Sequence, residues 1–192
     1  MPVKPSDREP RHRRLVTGTK PTLTGPTVVL RPIGLGDAPA MFEALGDAES
    51  NRLTGAQATF TLAEVEAHCV RVAAADDRYD FAITRPGDPA YLGEAVLMDV
   101  DPRNRSAHFR ISLASQSLFG LGLGTAATAM IIDFAFDDLG LHRLELEVFA
   151  FNDRARHVYE SLGFVEEGVR RDALWQDGAF HDSILMSVLA TD

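Results

Sequence analysis

Apolar and polar positions change period several times along the 192-residue chain, and each change marks an element. "RLELEVFA" (143–150) alternates strictly. Leu144, Leu146 and Val148 share one face and Glu145 and Glu147 the other, the pattern of a half-buried strand. "SAHFRISL" (106–113) alternates likewise, and "TVVLRPI" (27–33) is a β-branched run that ends beside a proline. "YDFAIT" (79–84) and "YLGEAVLMDVD" (91–101) read as strands joined by the turn segment "RPGDPA". Two closing strands, near 164–171 and 180–190, flank an Asp177-Gly178 turn.

The period lengthens to that of a helix over 125–138, where Ala127, Met130, Ile131 and Phe134 share a face. It does so again in "NDRARHVYESLG", with Asn152 as N-cap, Gly163 as stop, and Ala155, Val158, Tyr159 and Leu162 on one face. Asp37 caps a short helix with Pro39 in its first turn, and Thr61 with Glu64 forms a capping box opening a helix to Ala75. The order β-α-α-β-β-β-α-β-α-β-β predicts a mixed α/β domain built on one sheet, spanning 21–192.

Composition narrows the classes. The net charge is −9, yet residues 1–20 carry six basic side chains against Asp7 and Glu9, so the remainder is more acidic still. That segment, punctuated by proline and poor in apolar residues, reads as a disordered basic tail, with a basic arm touching an anionic partner as the alternative. An acidic body lacks the basic face that a phosphate-tracking nucleic-acid module needs; it suits a cationic substrate, and solubility alone accounts for it equally well. Cys69 is the lone cysteine, and the six histidines show no paired metal spacing, so no metal is expected. With no apolar run long enough to span a bilayer and no signal-peptide core, the expectation is a soluble, cytoplasmic protein without a membrane partner.

The chemistry starts at "SQSLFGLGLGTAATAM" (115–130). Gly120, Gly122 and Gly124 lie between a strand and a helix start, where unpaired N–H groups and the positive helix end meet an approaching anion. A tight structural turn would use the same residues. Gly122-x-Gly124-x-x-Ala127 also matches the dinucleotide fingerprint, with Glu145 or Glu147 as its acid. A hairpin-rich front half does not build the doubly wound sheet which that motif belongs to. No Gly-Lys-Ser/Thr ending follows, which argues against nucleotide hydrolysis.

"FGLGLGTAA" resembles the acyl-CoA diphosphate loop of the GNAT acetyltransferase superfamily, and "NDRARHVYESLGF" resembles its later Asn…Tyr…Gly-Phe motif. "TGPTVVLRPIGLGDAPAMFEAL" and "DGAFHDSILMSVL" resemble the RimJ/RimL-type branch, so the likeness covers about residues 23–190. It implies a GNAT fold: one mixed, mostly antiparallel sheet of about seven strands with about four helices. The sheet would splay between its fourth and fifth strands, 106–113 and 143–150. It also implies acetyl-CoA as co-substrate, transfer to a primary amine (a protein N-terminus or a small cationic molecule), and a homodimer. A non-catalytic acyl-CoA-binding module is the alternative.

By that resemblance, the amides of Phe119, Gly120, Leu121, Gly122, Leu123, Gly124 and Thr125 would hold the diphosphate. The N–H of Leu113 or Ala114 would face the thioester oxygen. Asn152 would grip the pantetheine arm, cap its helix, or do both. Tyr159 would protonate the leaving thiolate, against a plain core role on its helix face. Glu94, Asp99 and His108 are candidate bases, with ordinary surface or core placement as the alternative. Asp182 reads as a structural hydrogen-bonding residue of the terminal hairpin, and His181 as exposed. Phe119, Leu121 and Ala155 depart from the family pattern, the first two removing charge near the loop and the third a hydroxyl.

Overall fold

The computed structural model describes residues 20–192; the expected tail, up to residue 19, lies outside the described residues. Lys20, which the sequence reading assigns to the tail, belongs to the folded part. Its ammonium donates to the Val72 carbonyl and lies 5.9 Å from the centre of the Tyr79 ring.

Eight strands make one sheet: β1 (Leu23–Thr24), β2 (Val29–Pro32), β3 (Tyr79–Arg85), β4 (Asp88–Asp101), β5 (Ser106–Leu113), β6 (Arg143–Phe149), β7 (Val165–Gln176) and β8 (Ala179–Leu189). Their order is β1-β2-β3-β4-β5-β6-β8-β7. Only β5 and β6 run parallel, because the segment between them crosses over through a helix. The eighth strand, beyond the seven expected, is the two-residue β1. The last hairpin turns at Asp177 and Gly178, both with positive φ, as an Asp-Gly two-residue turn requires.

Five α-helices flank the sheet: α1 (Ala38–Ala44), α2 (Ala48–Thr54), α3 (Leu62–Ala74), α4 (Leu123–Asp133) and α5 (Asp153–Ser161). The sequence reading has four and passes over α2, although both its ends are marked. Asp47 accepts the Ser50 N–H at 2.8 Å, and Gly55 closes the helix at φ 67°. Thr61 and Glu64 form the expected capping box of α3. Asp37 does not cap α1 with its side chain; it forks onto Arg31 and accepts the Gly34 N–H at 2.9 Å, tying the preceding loop to β2. Helix α4 starts at Leu123, two residues before the expected Thr125, with Gly122 as its N-cap, and one wider turn (Phe134–Asp138) extends it.

The sheet has two unlike faces. On one, Phe81, Ile83, Leu97, Phe109, Leu144, Leu146 and Met186 pack beneath α4 and α5. On the other, Ile33, Ala82 and Tyr91 meet Met41 of α1 and Val65, Cys69 and Val72 of α3. That second face stays polar beyond the helices. His108 lies 3.0 Å from Glu145, and Arg143 forks onto Glu145 and Glu167. Among the described residues no helix is long and apolar enough to cross a membrane.

The Arg143–Glu167 pair gives a pH-dependent stability. The Arg143 guanidinium and then the Ser187 hydroxyl hold the Glu167 carboxyl down at about 2, from an ordinary 4.5. The unfolded chain therefore takes up this proton first as pH falls, so the pair's contribution is present above about pH 4.5 and lost towards pH 2. Thermal melts of the wild type and Glu167→Gln should diverge above that window and converge below it. A difference constant from pH 2 to 7 would refute the linkage.

Candidate active site

The site begins where the sheet opens. β5 and β6 pair only from Ser106↔Arg143 to His108↔Glu145, after which the strands part. Antiparallel pairing alternates the direction of backbone groups, so the neighbours of the gap can be read off. Ala114 donates its N–H to Leu92 O at 2.8 Å on the β4 side, so Leu113 turns its N–H towards the gap. Leu113 O accepts the Ser50 hydroxyl at 3.1 Å. Of the two donors considered from sequence, Ala114 is thus already occupied, and Leu113 N–H is the one facing the opening.

Gly93 lets the two strands come this close. A Cβ there would stand 2.2 Å from Ser112 O and 2.8 Å from Leu113 Cα, and its φ of 146° is one that side chains rarely adopt. Any side chain here strains the backbone and crowds β5.

A cleft of about 490 Å³ runs through the gap from one face of the sheet to the other. On the α4–α5 side it is lined by Thr128, Ala155, Val158 and Tyr159; on the far side by Ser50, Leu53 and Thr54 of α2 with Arg110, Glu147 and Phe149. Phe119, Gly120, Gly122, Leu123, Gly124 and Thr125 close one end. There Gly120 and Gly122 take φ of 75° and 76°, and a Cβ on either, or on Gly124, would meet nothing within 4 Å. The first helical bond is Ala126 N–H to Gly122 O, and no side chain caps the turn, so the N–H groups of Leu123, Gly124 and Thr125 precede the helix ladder. Bare backbone, free amides and a helix N-terminus in one place suit an anion. The Leu121 side chain is 53% exposed and does not line the cleft. A cation stands at this end: Arg154 of α5 lines the cleft, its guanidinium 4.9 Å from the centre of the Phe119 ring.

Tyr159 is 8% exposed, with its ring 5.7 Å from that of Phe164. Its hydroxyl has no hydrogen-bond partner among the described residues, although the residue lines the cleft. Burial pushes its phenol up to about 12, which keeps it a proton donor. Asn152 uses both ends of its amide: Oδ1 accepts the Ala155 N–H at 3.2 Å, and Nδ2 donates to Leu53 O at 3.3 Å. It thereby caps α5 and ties it to α2.

The candidate bases fare differently. Glu94 is buried on β4, one oxygen paired with Arg110 at 2.7 Å and the other without a partner among the described residues, and it does not line the cleft. His108 is engaged with Glu145, also outside the cleft, and Asp99 sits in the β4 bulge at φ 52°. Geometry therefore does not bring these three to the site. Asp182 accepts the Asp172 N–H at 2.9 Å, a hairpin hydrogen bond, and His181 packs edge-on against Phe151 rather than standing free. The carboxylate that does line the cleft is Glu147, which alternation alone could only place on the polar side of its strand.

Comparison with known proteins agrees with this geometry. A model described as an acetyltransferase (GNAT) domain matches residues 27–165. A Bacillus subtilis protein provisionally named ribosomal N-acetyltransferase YdaF is 35% identical over 102 residues, 53% of this chain and 55% of its own. The spermidine N(1)-acetyltransferase of Vibrio cholerae is 33% identical over 98 residues, 51% of this chain and 56% of its own. The chain thus spans about half the length of these two curated relatives. Against a third, provisionally named N-acetyltransferase YjcK of B. subtilis, it is 28% identical over 88% of this chain and 98% of the other. The crystal structure of the V. cholerae spermidine enzyme with CoA and spermine shares the fold, with TM-score 0.80, 23% identity, and coverage of 87% of this chain and 98% of that one. The split sheet, the glycine-started helix and the family match together place the chain in the GNAT family of acetyl-CoA-dependent acetyltransferases.

Proposed function

We propose that the protein transfers an acetyl group from acetyl-CoA to a primary amine, carried by a small cationic molecule or a protein N-terminus. One observation carries this reading: the cleft passes through the sheet, with an anion-ready helix start at one end and an unpartnered phenol in its wall. The thioester and the amine can then approach each other from opposite faces. The relatives named for spermidine and for ribosomal acetylation support a primary amine as the acceptor class.

The residues present fit the donor. The Leu123, Gly124 and Thr125 amides and Arg154 would hold the diphosphate, and the unpaired backbone of the gap would receive the amide-bearing arm. Leu113 N–H would stabilise the oxyanion as the neutral amine nitrogen bonds to the acetyl carbon and the C–S bond breaks. The Tyr159 phenol gives its proton to the departing sulfur and regains one from solvent; the amine's surplus proton leaves to water.

Thiol release from acetyl-CoA across a panel of amines and N-terminally free peptides tests this. Turnover with at least one acceptor is expected, and binding without release for any of them would favour a non-catalytic acyl-CoA module. The cradle has its own test in Gly124→Val. Gly124 lies in the first turn of α4 with open space where the new side chain would project, so the fold tolerates what an anion would not. Acetyl-CoA affinity by calorimetry should fall at least about tenfold, equivalent to about 1.4 kcal/mol. Unchanged affinity would remove the loop from the binding site.

A further inference from the structure

We propose that Glu147 receives the acceptor's ammonium group at the mouth of the cleft opposite α4 and α5. This rests on the acetyl-transfer reading and adds to it the residue that selects a cation and aims its nitrogen.

Glu147 is the only acidic side chain lining the cleft among the described residues. It stands on β6 just past the last residue paired to β5, where the gap opens, and next to Val148, which points to the opposite face with Tyr159. The carboxylate is held by two unlike partners. Ser183, 1% exposed, donates its hydroxyl to Oε2 at 2.9 Å and fixes the position of the group. Arg170 pairs with Oε1, but its side chain is 64% exposed. Such a surface pair contributes little to stability, and its long cation is free to swing into solvent. One oxygen is thus anchored while the other holds a cation that an incoming ammonium can replace. Arg110, the other charge at this mouth, is already neutralised by Glu94 at 2.7 Å.

An amine at neutral pH arrives protonated, since a lysine-type amine has a pKa of about 10.4. Binding as the ammonium, then losing a proton to water beside Glu147, leaves the neutral nitrogen at the gap, facing the side from which Tyr159 serves the sulfur.

Amine-dependent rates at saturating acetyl-CoA test the assignment, with spermidine, putrescine and an N-terminally free hexapeptide as acceptors. Glu147→Gln keeps the shape and the Ser183 contact, and should raise the amine KM at least about tenfold. Acetyl-CoA affinity should stay unchanged, and Glu147→Asp should recover part of the loss. Arg170→Ala, which frees the carboxylate, should lower the amine KM, a change of sign that a merely structural role does not produce. An amine KM in Glu147→Gln within about twofold of wild type, with the wild type active, overturns this inference and leaves acetyl transfer standing. A fall in melting temperature with an equal loss of acetyl-CoA binding overturns it as well. Wild-type protein that binds acetyl-CoA yet acetylates none of the three overturns both readings.

Discussion

Tyr159→Phe is expected to lower kcat about 100-fold while acetyl-CoA affinity and melting temperature stay close to wild type. The expected size is the low end of what general acid assistance supplies, since a thiolate leaves moderately well without a proton. The stability forecast follows from the structure. The ring packs in the core beside Phe164, and phenylalanine keeps that packing; the hydroxyl has no partner among the described residues, so its removal orphans none of them. A core tyrosine without a catalytic role predicts kcat unchanged. The buried phenol also bears on the pH profile. With its ionisation pushed up to about 12, Tyr159 stays protonated across the working range. The rate should therefore rise with pH as the acceptor amine loses its proton, with no falling limb from this group below about pH 11. A falling limb near pH 8–9 that disappears in Tyr159→Phe would place the ionisation lower and contradict the burial argument.

Gly93→Ala is expected to have the largest effect on stability, about 2–5 kcal/mol from backbone strain and overpacking together. The new methyl would lie 2.2 Å from Ser112 O, and backbone on a paired strand cannot swing away as a side chain can. Relief requires moving β5 at Ser112 and Leu113, the end of the strand that borders the gap. Native stabilities are typically about 5–15 kcal/mol, so the variant should remain folded with a clearly lowered melting temperature. Its surviving activity should fall too, because the Leu113 N–H is displaced. Chemical denaturation measures the first effect and single-turnover rates the second. A variant as stable as wild type would mean that β4 and β5 tolerate a wider spacing than the register implies.

The linear pattern carried much of this. Strict alternation in 143–150 and 106–113 specified two strands and which side chains face the core, because the period of two is a local property of extended chain. Capping chemistry likewise announced α3 and α5 at their first residues, since the groups it satisfies lie within a few positions. Three alternating glycines before a helix, with the Asn152…Tyr159 motif, pointed to an anion loop and to a family before any contact was known. α2 is not legible although Asp47 and Gly55 mark its ends, because its mostly polar seven residues, unlike the equally short α1 with its Met-Phe pair, show no apolar face.

The opening of the sheet lay beyond any local pattern. Where β5 and β6 part depends on register, and register arises from pairing between segments more than thirty residues apart. The β4–β5 register decides that Leu113 rather than Ala114 turns its N–H to that opening, and pairing holds Glu94 and His108 outside the cleft. Tertiary packing also brings Glu147 of β6 and Ser50 and Leu53 of α2 to the cleft from two stretches of chain more than ninety residues apart. Alternation could say that Glu147 faces away from the core; only the tertiary structure decides that it faces a cleft, since a cleft is made by what a neighbouring strand fails to cover.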